Sequence, residues 1–375
     1  MVVREREVKL IATYFTQLHQ IPENDMWWGE GFTDWINVKK AKPLFKGHYQ
    51  PRVPLNRNYY DQSEISILRS QIDLARKYGV FGFCHYHYWF DGKQLLETPT
   101  NIMLDNPDLD FPFCLSWANE TWSRQWDGLD HDILIQQTHP PTIESWKKHF
   151  DYLIRAWKDK RAIKIDGKPV FIIYRPKRIH RLNEMIKYWR ELAVKEGLKG
   201  LYIIYQAHHD IPSKYLVEFD AQFLFQPFNA INYNRAKTKL YKKIIIGLSE
   251  KIRKYLLNIL GISDSNTEYH KWSYDDVWEL ILKQKVNQNI ISYKGSFSDW
   301  DNTARYGDRA TIADGACPER FEYWFGKLVN NVVKDNNPNK LIFINAWNEW
   351  AEGAYLEPDE INQYQYLEAI KRVLK

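Results

Sequence analysis

Eight short apolar runs, most of them separated by stretches of helical periodicity, restrict this chain more than any other feature. In order they are VKLIATYF (8–15), VFGFCHYHYWF (80–90), FPFCLSWAN (111–119), PVFIIY (169–174), LYIIYQAH (201–208), AQFLFQPF (221–228), NIISY (289–293) and KLIFINAW (340–347). Several are almost continuously apolar, as strands covered on both faces are. Helix-period segments at 63–79, 142–157, 181–197 and 319–335 fall between them, and one at 361–375 closes the chain. Ser63 and Gly79 read as the two ends of the first. Strand-helix alternation with eight strands predicts a single (β/α)8 TIM barrel over residues 1–375. A doubly wound sheet would need a glycine-rich phosphate turn after an early strand, and neither GxGxxG nor GxxxxGK[ST] occurs. Two long loops are expected, one after strand one (16–62) and one after strand six (229–288). Long loops in compact domains tend to carry function.

Aromatic residues make up 15% of the chain, with 16 Trp and 24 Tyr, and many of the tryptophans sit among polar residues, as in MWWGEGFTDW, SWANETWSRQWDG and NAWNEW. Flat apolar rings beside hydrogen-bonding groups suit a ligand that has both kinds of face, such as a sugar. The net charge of +5 is modest, and no basic motif reads as a nucleic-acid module. Cys84, Cys114 and Cys317 are too few and too dispersed for a disulfide framework or a zinc cluster. The first residues lack the make-up of a signal peptide, so a cytoplasmic setting is expected. The segment 235–261 is basic and amphipathic, which suits contact at the inner membrane surface or with a partner, or a helix packed on the barrel.

In a barrel of this type the chemistry belongs at the C-terminal ends of the strands. Polar residues gather there after strands one, two, three, five and eight. The strongest signal is NAWNEWAEG (345–353), which places Glu349 and Glu352 three residues apart between Trp347 and Trp350, with Asn348 adjacent and Gly353 to relieve the backbone. Two carboxyl groups with different protonation states are what glycosidic cleavage requires. His85 and His87 alternate with tyrosines and share one strand face, as sugar hydrogen-bonding groups or as structural histidines. Asn119, Glu120 and Trp122 follow strand three, His208 follows strand five, and Trp28 and Glu30 lie in the first loop. All are expected to border one cavity. His208, His209 and Asp210 match no metal-ligand spacing, so neither metal nor cofactor is expected.

The stretches WWGEGFTDWINVKKAKPLFKGHYQPRVP (27–54), YYDQSEISILRSQIDLARKYGVFGFCHYHYWFDGK (59–93), FPFCLSWANETWSRQWDG (111–128) and NAWNEWAEGAYLEPD (345–359) resemble WbsX-type proteins, a family related to the glycoside hydrolase family 99 endo-α-mannosidases. The resemblance implies two activities. WbsX-type proteins are called glycosyltransferases of surface-polysaccharide clusters, O-antigen or capsule, whereas family 99 enzymes are retaining endo-hydrolases on (β/α)8 barrels. In the latter an E-x-x-E pair acts through a 1,2-anhydro sugar, which by analogy makes Glu349 the base toward the 2-hydroxyl and Glu352 the acid and base at the leaving oxygen. Ala351 stands where family 99 has a histidine, a departure that bears on sugar recognition. The expected function is therefore retaining cleavage of an α-linked mannose-type or related polysaccharide. Transfer or transglycosylation is the alternative, and a non-catalytic carbohydrate-binding barrel a third. A nucleotide-sugar transferase is expected to carry a diphosphate site, built from metal-bridging acids or a helix N-terminus, and no such site is read here.

Overall fold

A computed structural model of the chain describes residues 8–124, 129–208, 217–234, 269–284, 286–287 and 289–375. The basic segment at 235–261, with His209 and Asp210, lies outside the described residues. The eight apolar runs form β1 (Lys9–Tyr14), β2 (Val80–Phe90), β3 (Phe113–Trp117), β4 (Lys168–Ile173), β5 (Tyr202–Ala207), β6 (Ala221–Leu224), β7 (Ile291–Phe297) and β8 (Leu341–Asn345). Neighbours pair in parallel in chain order from β1 to β8, and β8 pairs with β1 to close the ring. The result is a closed eight-stranded parallel barrel with interspersed helices, a TIM-barrel-like α/β arrangement.

Period-two alternation explains why the runs are apolar on both faces. Ile11, Cys84, Cys114, Ile172, Ile204, Phe223 and Phe343 fill the barrel interior. Their neighbours Leu10, Phe83, Leu115, Phe171, Ile203 and Ile342 belong to the layer shared with the helices. Cys84 and Cys114 are buried free thiols, and Cys317 is a free thiol at intermediate burial.

The helices that follow the strands are α1 (Ile65–Lys77), α2 (Thr98–Asp105), α3 (Ile143–Lys158), α4 (Leu182–Lys195), α5 (Tyr274–Lys283), α6 (Pro318–Lys334) and α7 (Gln365–Leu374). In α3 the buried residues Trp146, His149, Phe150, Leu153 and Trp157 recur at helical spacing. The Thr142 hydroxyl caps that helix by accepting from the Ser145 N–H at 3.2 Å. Ser63, expected to cap α1, does not do so: the helix starts one residue later, after Glu64 in an extended conformation. The helix α2 and, inside the 229–288 loop, α5 were not anticipated from periodicity. Each is short, and two or three turns carry a weak periodic signal. The first long loop is also partly helical, at Pro22–Trp28 and Asp34–Lys40. Among the described residues no helix is long and apolar enough to cross a membrane.

Candidate active site

The chain after β8 makes a tight hairpin at the mouth of the barrel. Asn348–Glu349 pairs antiparallel with Ala354–Tyr355 around one 3-10 turn, Trp350–Glu352. Gly353 closes that turn at φ 65°, and a Cβ there would come within 2.9 Å of the Asp301 backbone nitrogen. Asn348 ties the hairpin to the end of β1: its carboxamide oxygen accepts from Phe15 N at 2.8 Å, and its amide nitrogen donates to Phe15 O at 3.0 Å. These constraints aim Glu349 and Glu352 into one cavity of about 850 Å³.

A single guanidinium bridges the two glutamates. Arg305, in the short helix Thr303–Tyr306 after β7, donates from Nη1 to Glu352 Oε1 at 2.5 Å and from Nη2 to Glu349 Oε2 at 3.3 Å. The same Nη2 donates to Asp34 Oδ2 at 2.8 Å, which brings the first long loop into the site. Three carboxylates thus converge on one cation. Burial pushes the Glu349 carboxyl well above the ordinary range, and the charge of Glu352 pushes it further, with Arg305 opposing. Glu352 is also raised by burial, again against Arg305. Crowded acids of this kind retain protons at pH values where isolated ones do not.

The cavity walls are aromatic and polar together. Trp28, Trp122, Tyr86, Tyr88 and Tyr174 line it with Glu120 and His208. Four of the anticipated binding residues, Trp28, Glu120, Trp122 and His208, therefore share one cavity with the two glutamates. The others are placed elsewhere. Glu30 is exposed on the first loop. His85 and His87 share a face, as expected, but that face turns toward the helices. His85 lies 3.2 Å from the Thr100 hydroxyl and stacks on Tyr14, while His87 Nε2 is 2.8 Å from His149 Nε2 on α3. Burial lowers both imidazoles to about 3, so they are neutral. Asn119 is buried and braces Arg175, accepting from its N at 2.7 Å and donating to its O at 3.0 Å. Trp347, Asn348 and Trp350, in and just before the hairpin, are buried and do not line the cavity: both indoles donate to Glu357, and Asn348 is tied to Phe15.

Several lining groups escaped sequence reasoning. Tyr86 and Tyr88 occupy the inward face of β2, in the alternation where the histidines drew the attention. Arg305 and Asn302 come from SDWDNTARYGDR (298–309) after β7, a polar cluster at a sixth strand end that would have pointed to them. That stretch also contains an acid-x-acid triplet at a strand end, Asp299-Trp300-Asp301, contrary to the absence of metal-bridging acids read above. Both carboxylates are engaged by protein groups: Arg52 donates to Asp299 at 2.8 Å, and Asp301 Oδ2 meets His48 Nε2 at 2.8 Å and Gln50 Nε2 at 2.5 Å. Among the described residues no group of three or more His, Cys, Asp or Glu side chains is arranged to hold a metal ion.

Comparison with known proteins agrees with this architecture. The described fold resembles a glycoside hydrolase-like protein (TM-score 0.57, 15% identity, 100% of this chain and 96% of that one). It also resembles the GH99 endo-α-mannosidase from Bacteroides thetaiotaomicron (TM-score 0.53, 13% identity, 97% of this chain and 95% of that one). At these identities the likeness is one of fold. In sequence, the chain is 33% identical over 368 residues to the uncharacterized protein WxcX of Xanthomonas campestris pv. campestris strain B100, covering 97% of this chain and 49% of the relative. The WxcX of strain ATCC 33913 matches equally, at 33% over 366 residues, so the chain spans about half the length of the curated relatives it matches. The family model described as Glycosyltransferase WbsX matches residues 10–370. With nearly the whole chain inside that match, the protein belongs to the Glycosyltransferase WbsX family.

Proposed function

We propose that residues 1–375 form one catalytic domain that transfers glycosyl units in surface-polysaccharide assembly by acting on an existing glycosidic bond. The observation that carries this reading is the pair of raised carboxyls, Glu349 and Glu352, on one guanidinium at the floor of an aromatic cavity of about 850 Å³. That volume is in the upper part of the range of small-molecule ligand sites. The match to the transferase family favours transfer over hydrolysis. Both are the same chemistry with a different acceptor.

Without substrate the larger upward shift is on Glu349; in the proposed reaction the one proton of the pair lies on Glu352 once the glycan is bound, and it passes to the leaving oxygen as the glycosidic bond breaks. Glu349, ionised, takes the proton of the neighbouring 2-hydroxyl, whose oxygen closes on the anomeric carbon to give a 1,2-anhydro sugar. Glu352 then deprotonates an acceptor hydroxyl, which opens the three-membered ring, and Glu349 returns its proton to O2. Arg305 holds the two carboxyls at fixed separation and limits how far both are raised. The α-linked mannose-type substrate rests on the fold likeness to the GH99 endo-α-mannosidase. Incubating the protein with α-linked mannan-type oligosaccharides, with and without an acceptor glycan, should give chain-length redistribution that needs no nucleotide sugar. Turnover strictly dependent on a nucleotide sugar would defeat this mechanism and favour direct transfer from that donor.

A further inference from the structure

Charge is distributed unevenly along the cavity. At its floor three carboxylates surround one guanidinium. At its mouth the balance reverses. Arg175, Lys177 and Arg178 follow β4, and Arg309 follows β7, three places away around the ring, with Glu120 the facing acid among the described lining residues. We propose that the glycan held in this cavity is anionic, with oxyanion substituents on sugars flanking the reacting one, and that Arg175, Arg178 and Arg309 receive them. The proposal rests on the glycoside-processing reading of the floor and adds the substrate's charge to it.

Arg175 is built as a fixed cation. Its Nε donates to Glu120 Oε1 at 2.9 Å, and its guanidinium carbon lies 4.3 Å from the Tyr174 ring centroid. Asn119 clamps its peptide on both sides, at 2.7 and 3.0 Å. Glu120 takes Nε and the Tyr174 hydroxyl lies 3.5 Å from Nη2, leaving Nη1 without a hydrogen bond to the described residues. Arg178 is about half exposed and reaches Glu120 only at 3.5 Å. Arg309 is exposed and has no ion pair among the described residues. Among the described lining residues one mouth carboxylate, Glu120, faces the three guanidinium groups of Arg175, Arg178 and Arg309, and a neutral glycan would use them only as hydrogen-bond donors, leaving their charge unmatched. The planar guanidinium fork matches carboxylate and phosphate oxygens, and a cleft lined by one sign of charge concentrates its field on the ligand.

The test is calorimetric binding to the Glu349→Gln protein, which does not consume its ligand. Two matched pairs of probes are used: mannuronate-containing oligosaccharides with their carboxyl-reduced forms, and phosphorylated mannan oligosaccharides with their dephosphorylated forms. The expected result is binding at least about tenfold tighter for the charged member of one pair, weakening with salt. That preference should fall by a similar factor in the Arg178→Gln/Arg309→Gln double variant. The pair that responds distinguishes carboxylate from phosphate. Equal affinities within both pairs, including no binding by any member, overturn the proposal. So does binding confined to a nucleotide diphosphate sugar, which would assign the basic mouth to a donor's diphosphate. Product analysis with the native protein keeps the two readings apart: a charge preference without cleavage or transfer removes the proposed function and leaves the anionic ligand standing.

Discussion

Glu349 and Glu357 lie within one short stretch, at 6% and 8% exposure, and burial raises both carboxyls, yet their surroundings are opposite. Glu357 is saturated. Its Oε1 accepts from Gln71 Nε2 at 2.7 Å and Trp347 Nε1 at 3.1 Å, and its Oε2 from Tyr60 OH and Trp350 Nε1, each at 2.7 Å. Those donors pull its proton affinity back down and fix it in place. Glu349 has one long contact to Arg305 and two neighbouring carboxylates. Asp301 resembles Glu357: burial pushes it up, but His48, Arg52 and Thr303 win and hold it at about 2. A buried acid with all its lone pairs occupied is a structural anchor. One short of donors and facing a cavity keeps its capacity to exchange a proton.

The contrast is sharpest in turnover. Glu349→Gln or Glu352→Gln should lower the rate on a proven oligosaccharide by about 10²–10⁴-fold while leaving the denaturation midpoint near that of the parent. An equally large loss from Glu357→Gln in a folded, parent-stable protein would erase the distinction. Glu357→Gln should instead cost about 2–4 kcal/mol of stability, read by chemical denaturation, because an amide nitrogen then faces indole and amide donors. Removing Arg305 tests the pair itself. Since the guanidinium opposes the upward shift of both glutamates, Arg305→Gln should move both limbs of the pH–rate profile to higher pH, which a role in fold stability alone would not do.

The smallest effect is on stability as a function of pH. A carboxyl raised on folding binds its proton more tightly in the folded state, so its cost is absent below the ordinary value of about 4.3 and grows as pH rises toward the folded value. Glu349→Gln should therefore melt close to the parent at acidic pH and slightly above it at pH 8, in thermal scans over that range. A variant that melts below the parent at pH 8 would show that Glu349 stabilises the fold.

Much of the architecture was legible in the chain. The eight strands were marked by apolar runs because both faces of a barrel strand are buried, and five helices by their periodic stripes. The E-x-x-E pair stood out because acids at the end of a buried strand are costly without a partner. What periodicity could not supply was direction. Alternation shows that His85 and His87 share a face, and that Tyr86 and Tyr88 share the other, but either assignment satisfies a period of two. The clamp was hidden for a related reason. Asp34 stands in the tryptophan-rich first loop, where it reads as part of a cleft wall, but nothing in the sequence joins it to Arg305 or to Glu349, 271 and 315 residues further along the chain.

Local chemistry, then, determined the strands, most of the helices and the position of the acidic hairpin, because each depends on residues within a few positions of one another. Tertiary structure decided which face of β2 meets the cavity, which acids are saturated and which stay exposed to it, and that one arginine joins three carboxylates from distant loops. Those outcomes depend on ring closure, which sets every strand's inward face at once and brings loop ends together regardless of their separation along the chain.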